Sequence, residues 1–451
     1  PVLTAATSSA FNITAGSATK LAYTTVPSTG TAGTAFSVTV ESQDVNGNAS
    51  NLVAASTTIT LTKATGGGSL SGTLTGTIAS GASSVTIATP VYSKSDAMTL
   101  TATASGGDVL TAVTSGSITF SAGAATKLAF LQQPTSAVGG ATISPAVTVR
   151  IEDANGNLVT TDNTTTVTLA IGTNPGSGTL TGGGAATASG GIATFSGLSI
   201  NKSGTGYTLG ASSSPVLTAA TSSAFNITAG SATQIAINSG NNQSTTVGTA
   251  VSTAPSVIVK DASNNPVSGV SVTFAVATGG GSGTGLSATT NGSGIATVGS
   301  WTLGSTAGSN TLTATSTGLT GSPLTFTATG ISTTATKGVL TTQPSGAVNG
   351  VALTTQPIVQ LQDASNNNVS TSGLNVVATI TSGSGVLTGT TTVSTNGSGV
   401  ATFTNLVITG TAGNFTLTFT PSGLTAAVSN SFALTAGAVA SVVVSGDASI
   451  V

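Results

Sequence analysis

The sequence contains no cysteine and no histidine. Without them the chain can form no disulfide bond, no cysteine nucleophile, no Ser-His-Asp triad and none of the usual zinc or haem sites. We therefore expect no catalytic residues, no metal site, no cofactor and no enzyme. Stability must come from apolar burial and backbone pairing alone.

Charged residues are also scarce. Charged residues make up 4% of the 451 positions and the net charge is −2, whereas an ordinary soluble domain is roughly 25% charged. Such a chain has no basic field for nucleic acid or an anionic membrane, so we expect neither a nucleic-acid partner nor direct membrane insertion. Gly, Ser and Thr also interrupt every apolar run before it reaches the roughly 18 residues of a transmembrane helix.

Aromatic residues account for 4% of the chain, with one Trp and three Tyr. This is too few for a typical glycan-binding face, and it means that any core is built mainly from Val, Ile, Leu, Ala and Phe. The abundant Gly, Ser, Thr, Ala and Val favour strands and turns over helices. The composition predicts an all-β protein.

Four strands of similar sequence each end in an aspartate that is followed by a turn. The aspartates are Asp44, Asp153, Asp261 and Asp363, at steps of 109, 108 and 102 residues. A period near a hundred residues is typical of a string of small domains. We predict four domains, at 16–122, 123–229, 230–330 and 331–436, flanked by a closing strand at 1–15 and an opening strand at 437–451.

The aspartate turns carry residues that accept a positive φ three positions later. These are Gly47, Gly156, Asn264 and Asn366. We expect each aspartate to bond backbone N–H groups of its own turn, and its loss to cost about 1 kcal/mol.

Each repeat ends in an alternating strand before an Ala-Gly or Thr-Gly hinge, which indicates one buried and one solvated face. From this alternation we predict core positions at Phe11, Phe225, Trp301, Phe326 and Phe432. About seven short strands per repeat indicate an Ig-like β-sandwich. The first repeat lacks the Gly-Ile-Ala-Thr strand of the others and has 81–87 in its place.

The Asp-x-x-Gly-Asn turn, the later Gly-Ile-Ala-Thr and the segment 301–312 resemble bacterial Ig-like domains of the invasin and intimin type. The resemblance is best in 230–330. It implies a tandem array of Ig-like β-sandwich domains forming an elongated rod on a bacterial surface, where a terminal domain usually carries adhesion.

Three weaker patterns each have a simpler structural explanation. Ser17 and Lys20 have the spacing of a Ser-x-x-Lys nucleophile, but other repeats have Gln or no Ser at these positions. A Lys–Asn cross-link needs a buried acid beside the lysine, and the fourth repeat offers only Lys337 and Asp363 for it. The turn at Asp153 offers oxygens at alternate positions, as calcium loops do, but lacks the continuation ending in Glu that such loops have.

Two functions remain open from the sequence. The first is a structural, non-catalytic stalk or spacer in a large extracellular or cell-surface protein, with neighbouring repeats as its partners. The alternative is a subunit of a self-assembling extracellular fibre or sheath, in which identical chains pack laterally or exchange strands. Residues 1–19 recur unchanged at 215–233, where they span a junction between repeats. This duplication favours a longer continuous array.

Overall fold

The computed structural model describes residues 2–52 and 55–438. The chain divides into two compact units, Pro1–Ala229 and Gly230–Val451. Within the described residues all regular structure is β-strand. No helix in this part of the chain has the length and hydropathy needed to cross a membrane.

The first unit begins with the repeat at 16–122. Its strands are β1 (Lys20–Thr25), β2 (Thr29–Thr31), β3 (Val38–Gln43), β4 (Thr57–Thr65), β5 (Leu70–Gly72), β6 (Thr75–Ile78), β7 (Ser84–Ile87), β8 (Pro90–Tyr92), β9 (Ala97–Ser105), β10 (Val113–Thr114) and β11 (Ile118–Ser121). One sheet has the order β1-β3-β7, and the facing sheet has the order β2-β11-β9-β4-β6.

The second repeat of this unit follows the same plan. Its strands are β12 (Lys127–Gln132), β13 (Ala137–Val138), β14 (Val147–Glu152), β15 (Thr166–Ile171), β16 (Leu180–Thr181), β17 (Ala186–Thr187), β18 (Ile192–Phe195), β19 (Ser199–Ile200), β20 (Gly204–Tyr207), β21 (Leu209–Ser214), β22 (Ala220–Thr221) and β23 (Phe225–Thr228). The aspartate strand β14 lies between β12 and β18.

The second unit contains the other two repeats. The third has β24 (Ala232–Ser239), β25 (Gln243–Thr246), β26 (Ser256–Asp261), β27 (Ser271–Thr278), β28 (Ser282–Thr284), β29 (Ser287–Thr289), β30 (Ile295–Thr297), β31 (Ser300–Thr302), β32 (Gly308–Thr315) and β33 (Leu324–Ile331). The fourth has β34 (Lys337–Thr342), β35 (Ala347–Val348), β36 (Ile358–Gln362), β37 (Asn375–Ser382), β38 (Gly385–Thr388), β39 (Thr392–Ser394), β40 (Val400–Thr402), β41 (Val407–Gly410), β42 (Gly413–Pro421), β43 (Ala427–Val428) and β44 (Phe432–Thr435).

These sheets form Ig-like sandwiches, so the predicted all-β, Ig-like fold is confirmed. In each repeat the aspartate strand is the middle strand of a three-stranded antiparallel sheet. The short second strand pairs in parallel with the last strand of its repeat. Each unit encloses two hydrophobic cores, one per repeat. The division into four domains and its boundaries remain predictions.

The described residues contain ten to twelve strands per repeat rather than about seven. The opening strand accounts for part of the difference, because it is split where the chain passes from one sheet to the other. In three repeats a proline lies in this gap, at Pro27, Pro134 or Pro344. Proline has no N–H to donate, so it interrupts the hydrogen bonding of the strand there. In the first repeat β7, within the predicted 81–87 segment, takes the place of the Gly-Ile-Ala-Thr strand beside the aspartate strand.

The structure buries most of the predicted core aromatics. Trp301 and Phe326 have no exposed area, Phe225 is buried, and Phe432 is half-buried against its core. The prediction for Phe11 is wrong, because this ring is 77% exposed and residues 2–19 form no strand. A lone strand has no ladder to join, whereas the identical segment at Phe225 pairs with β20 and β13. The predicted strand at 437–451 lies outside the described residues from 439 onward.

Candidate functional site

Each of the four aspartates lies at the end of the middle strand of its sheet. Alternate residues of these strands point into the core, and Val149 and Ile151 ahead of Asp153 have no exposed area. The aspartates themselves are also buried. A buried carboxylate must be fully hydrogen-bonded to remain charged, and the turn supplies these bonds.

Asp261 shows the arrangement. Its Oδ1 accepts hydrogen bonds from the backbone N–H groups of Ser263 and Asn265, each at 2.8 Å. Its Oδ2 accepts from the hinge N–H of Gly230 at 2.8 Å and from Nδ2 of Asn265 at 3.0 Å. The same four bonds recur at Asp44, from Asn46, Asn48 and Gly16, and at Asp153, from Asn155, Asn157 and Gly123. At Asp363 the donors are Ser365 and Asn367, and the Ser332 hydroxyl replaces the hinge N–H.

The position three residues after each aspartate has a left-handed backbone. Its φ is +90° at Gly47, +84° at Gly156, +61° at Asn264 and +69° at Asn366. Only glycine, and to a lesser degree asparagine, enters this region at low cost. The turn can therefore bring its next N–H back to the aspartate.

The Asp-x-x-Gly-Asn pattern contains an asparagine four residues after the aspartate, but no role was predicted for it from the sequence. These residues are Asn48, Asn157, Asn265 and Asn367, and every one donates its Nδ2 to the aspartate Oδ2. The signal was available, because Asp-x-x-x-Asn occurs in all four copies. A turn that needed only the aspartate to cap its backbone N–H groups would not require an asparagine at this position.

In the first unit this asparagine joins one repeat to the repeat before it. The Nδ2 of Asn157 donates to the carbonyl of Ser93 at 2.9 Å, and its Oδ1 accepts the N–H of Ser95 at 3.1 Å. Ser93 and Ser95 lie in the loop between β8 and β9 of the preceding repeat. The asparagine amide thus bonds to its own aspartate and to the neighbouring sandwich at once.

The second unit repeats this arrangement. The Nδ2 of Asn367 donates to the carbonyl of Ser305 at 2.7 Å, and its Oδ1 accepts the N–H of Ala307 at 2.6 Å. Ser305 and Ala307 precede β32, as Ser93 and Ser95 precede β9. With the Ser332 bond to Asp363, each aspartate–asparagine pair binds both the hinge and the loop beside it. We call such a pair, with its hinge and loop contacts, a junction clamp.

Asn48 differs from these two residues. It keeps its bonds to Asp44, but its side chain is exposed, and no described residue contacts its Oδ1 by a hydrogen bond. Asn157 and Asn367 are both buried. Within the described residues, the turn of the first repeat therefore makes the hinge contact of a junction clamp but not its loop contact.

Hydrogen bonding lowers the pKa of all four aspartates. At Asp44 the Asn48 side chain is the main cause, and it lowers the pKa to about 2. At Asp153, Asp261 and Asp363 burial raises the pKa, but the bonds from the turn and the hinge outweigh burial and leave the pKa below its ordinary value. All four are therefore carboxylates at neutral pH.

The weaker sequence patterns take ordinary structural roles. Lys20 Nζ donates to the carbonyl of Val45 over the turn. Lys337 Nζ donates to Asn366 Oδ1, while both oxygens of Asp363 accept bonds from other groups. Within the described ranges, no three acidic side chains lie close enough to hold a metal ion. The calcium alternative would have to use an aspartate whose two oxygens already accept four hydrogen bonds.

Comparison with known proteins gives a limited set of similarities. The sequence family described as SMCHD1 Ig-like domain 6 matches residues 335–433. No curated protein matches the chain.

Among solved structures, the chain is similar to FdeC, an Escherichia coli adhesin, with 18% identity over 70% of this chain and 98% of that chain, and a TM-score of 0.35. It is similar to invasin, a bacterial integrin-binding protein, with 16% identity over 92% of this chain and 79% of that chain, and a TM-score of 0.32. Yersinia pseudotuberculosis InvD gives 18% identity over 69% and 98%, with a TM-score of 0.34. The structural neighbours thus include bacterial adhesins of the invasin and intimin type, the class that the turn motifs resemble.

Proposed function

We propose that this chain is a structural, non-catalytic series of Ig-like domains in a large extracellular or cell-surface protein, where it acts as a stalk or spacer in adhesion. The observation that carries the proposal is the junction clamp. A spacer transmits position along its length only if adjacent domains are held in a fixed relation. Domains joined by a hinge alone move relative to each other by default, and the clamp opposes this motion.

The clamp is well suited to that task. Each asparagine amide makes two hydrogen bonds to the neighbouring loop, and each contributes roughly 0.5–1.5 kcal/mol net of the bonds to water that replace it when the junction opens. Opening the junction therefore has a defined cost. Exposed ion pairs would contribute less, typically below about 1 kcal/mol.

The test measures how freely two repeats move. Because the chain has no cysteine, spin labels at Ser71→Cys and Ser196→Cys, both exposed, would be its only thiol adducts. We expect a narrow distance distribution between the labels. Asn157→Ala should broaden it, while Asn46→Ala, which removes an exposed side chain outside the clamp, should not. An equally broad distribution with and without Asn157 would refute the spacer role of the clamp.

A second candidate is a subunit of an extracellular fibre or sheath. It is favoured by two exposed apolar side chains, Phe11 at 77% and Ile13 at 87%, and by the 4% charge, which leaves few charges to keep strands apart. Sedimentation velocity of the full chain over a wide concentration range separates the candidates. Growing oligomers would support the fibre, and a monomer throughout would support the spacer.

A further inference from the structure

Residues 2–15 have a counterpart of identical sequence elsewhere in the same chain. The segment 1–19 is identical to 215–233, and at the second site Phe225 and Ile227 are buried. The strand β23 that carries them pairs with β20 and with β13 of the same repeat. Phe225 also packs against Tyr207, with ring centroids 6.1 Å apart. The same residues at Phe11 and Ile13 are exposed.

Among the described residues, the turn of the first repeat makes the hinge contact but Asn48 makes no hydrogen bond to a second loop. Gly16 donates its N–H to Asp44, as Gly123 donates to Asp153. Asn48 is oriented by Asp44, and no residue that the structure describes hydrogen-bonds its Oδ1, whereas Asn157 bonds a carbonyl and an N–H of the preceding loop. Within the part of the chain that the structure describes, the hinge bond to the aspartate is the same in both repeats, and the loop contact is what distinguishes them.

We propose that residues 2–15 and the Asp44–Asn48 turn together form a docking surface for the body of an Ig-like repeat equivalent to residues 123–214. Such a body lacks its closing strand. Phe11 and Ile13 fill the core positions that Phe225 and Ile227 fill in the second repeat. Asn48 bonds the loop of the docked body that is equivalent to the one between β19 and β20. This loop corresponds to the Ser93–Ser95 loop, which lies ahead of β9 in the first repeat.

A second copy of the chain is a poorer occupant. Its second repeat already holds its own closing strand, so Phe11 would have to displace an identical Phe225 with no gain in contacts. Adding a strand to a sandwich is favourable only where the edge of the sheet that receives it has no strand paired to it. The inference rests on the proposed tandem arrangement, and it adds the partner and the residues that hold it.

A fusion tests the inference with the whole chain. Placing residues 123–214 directly before Pro1 recreates the Ser214–Pro215 sequence and every residue through Thr233. Hydrogen exchange is followed on peptides that extend past residue 19, because the differing residues Lys20 and Gln234 distinguish the two copies. We expect residues 11–14 to exchange at least about 100-fold more slowly in the fusion than in the unfused chain.

Variants identify the contacts within the fusion. Phe11→Ser should remove the protection of residues 11–14 and leave that of 225–228, while Phe225→Ser should do the reverse. Spin labels at Ser71→Cys and at residue 196 of the added body should give a narrow distance distribution. Asn48→Ala should broaden this distribution without unfolding the added body, and Asn46→Ala should leave it unchanged.

Several results would overturn the inference. Equal exchange of residues 11–14 in both proteins would show that the segment does not close the added body. A narrow distribution that survives Asn48→Ala would remove the turn from the docking surface. Self-association of the unfused chain that Phe11→Ser abolishes would assign the segment to a second copy. The spacer proposal is judged separately, by Asn157→Ala in the unfused chain.

Discussion

Asn157 Nδ2 lies 2.9 Å from the carbonyl of Ser93, a residue 64 positions earlier in the preceding sandwich. The same nitrogen lies 2.9 Å from Asp153 Oδ2. The aspartate therefore does two things through one neighbour. It closes its own turn, and it fixes the orientation of the amide that binds the adjacent repeat.

Asp261→Ala should destabilise the third repeat by about 2–3 kcal/mol. This exceeds the 1 kcal/mol expected for one turn bond, because four donors lose a charged acceptor. Asp261→Asn should be nearly as damaging, since each oxygen accepts two bonds and either amide orientation places NH2 against donors. Trp301, the only tryptophan, is buried in this core, so its fluorescence reports this transition. Asp153→Ala, in another repeat, is the control.

Asn367→Ala should lower the stability of the third repeat although residue 367 belongs to the fourth. The variant removes the bonds to Ser305 and Ala307, and we expect a loss of about 1–2 kcal/mol. Urea unfolding followed by Trp301 fluorescence measures it. Asn368→Ala, which alters the same turn without a bond to the third repeat, should leave the transition unchanged. No effect of Asn367→Ala would mean that the repeats are energetically independent.

The third repeat should lose stability only at strongly acidic pH. The folded pKa of Asp261 is lowered, so its contribution is complete above the ordinary value of 3.8 and is lost as pH falls through the folded pKa. Asp261 is the only acidic residue between 230 and 330. The acid dependence of the Trp301 transition should therefore disappear in Asp261→Asn. A dependence that persists would place its origin outside this repeat.

Asn264→Ala should cost the third repeat about 1 kcal/mol, because alanine resists the φ of +61° that this position requires. Asn264→Gly keeps the turn geometry and should be close to neutral. Thermal unfolding of both variants provides the comparison. Equal losses would indicate that the bond from Gln234 Nε2 to Asn264 Oδ1, and not the backbone, determines the residue.

Calcium should leave the melting temperature unchanged at every turn. The oxygens of Asp153 already accept four hydrogen bonds, and calcium generally needs six to eight oxygen ligands. Thermal unfolding with added calcium and with a chelator measures the effect. A rise of several degrees with calcium would show that the turn rearranges around a metal.

The amino-acid sequence by itself determined the local structure of this protein. Alternating apolar residues specify strands with one buried face, and prolines such as Pro27 and Pro134 mark where the opening strand changes sheets. The residues with positive φ, among them Gly156 and Asn264, specify the turn. These properties depend on neighbours along the chain, so each repeat displays them in its own sequence.

Tertiary structure decided which of these local possibilities became contacts. Phe11 and Phe225 have the same flanking sequence, yet one is exposed and the other buried, because only the second has β20 and β13 beside it. Asn48 and Asn157 occupy the same turn position, yet within the described residues Asn157 bonds a neighbouring loop and Asn48 does not. Strand pairing and amide bonding need a partner distant in sequence, and no local pattern supplies one.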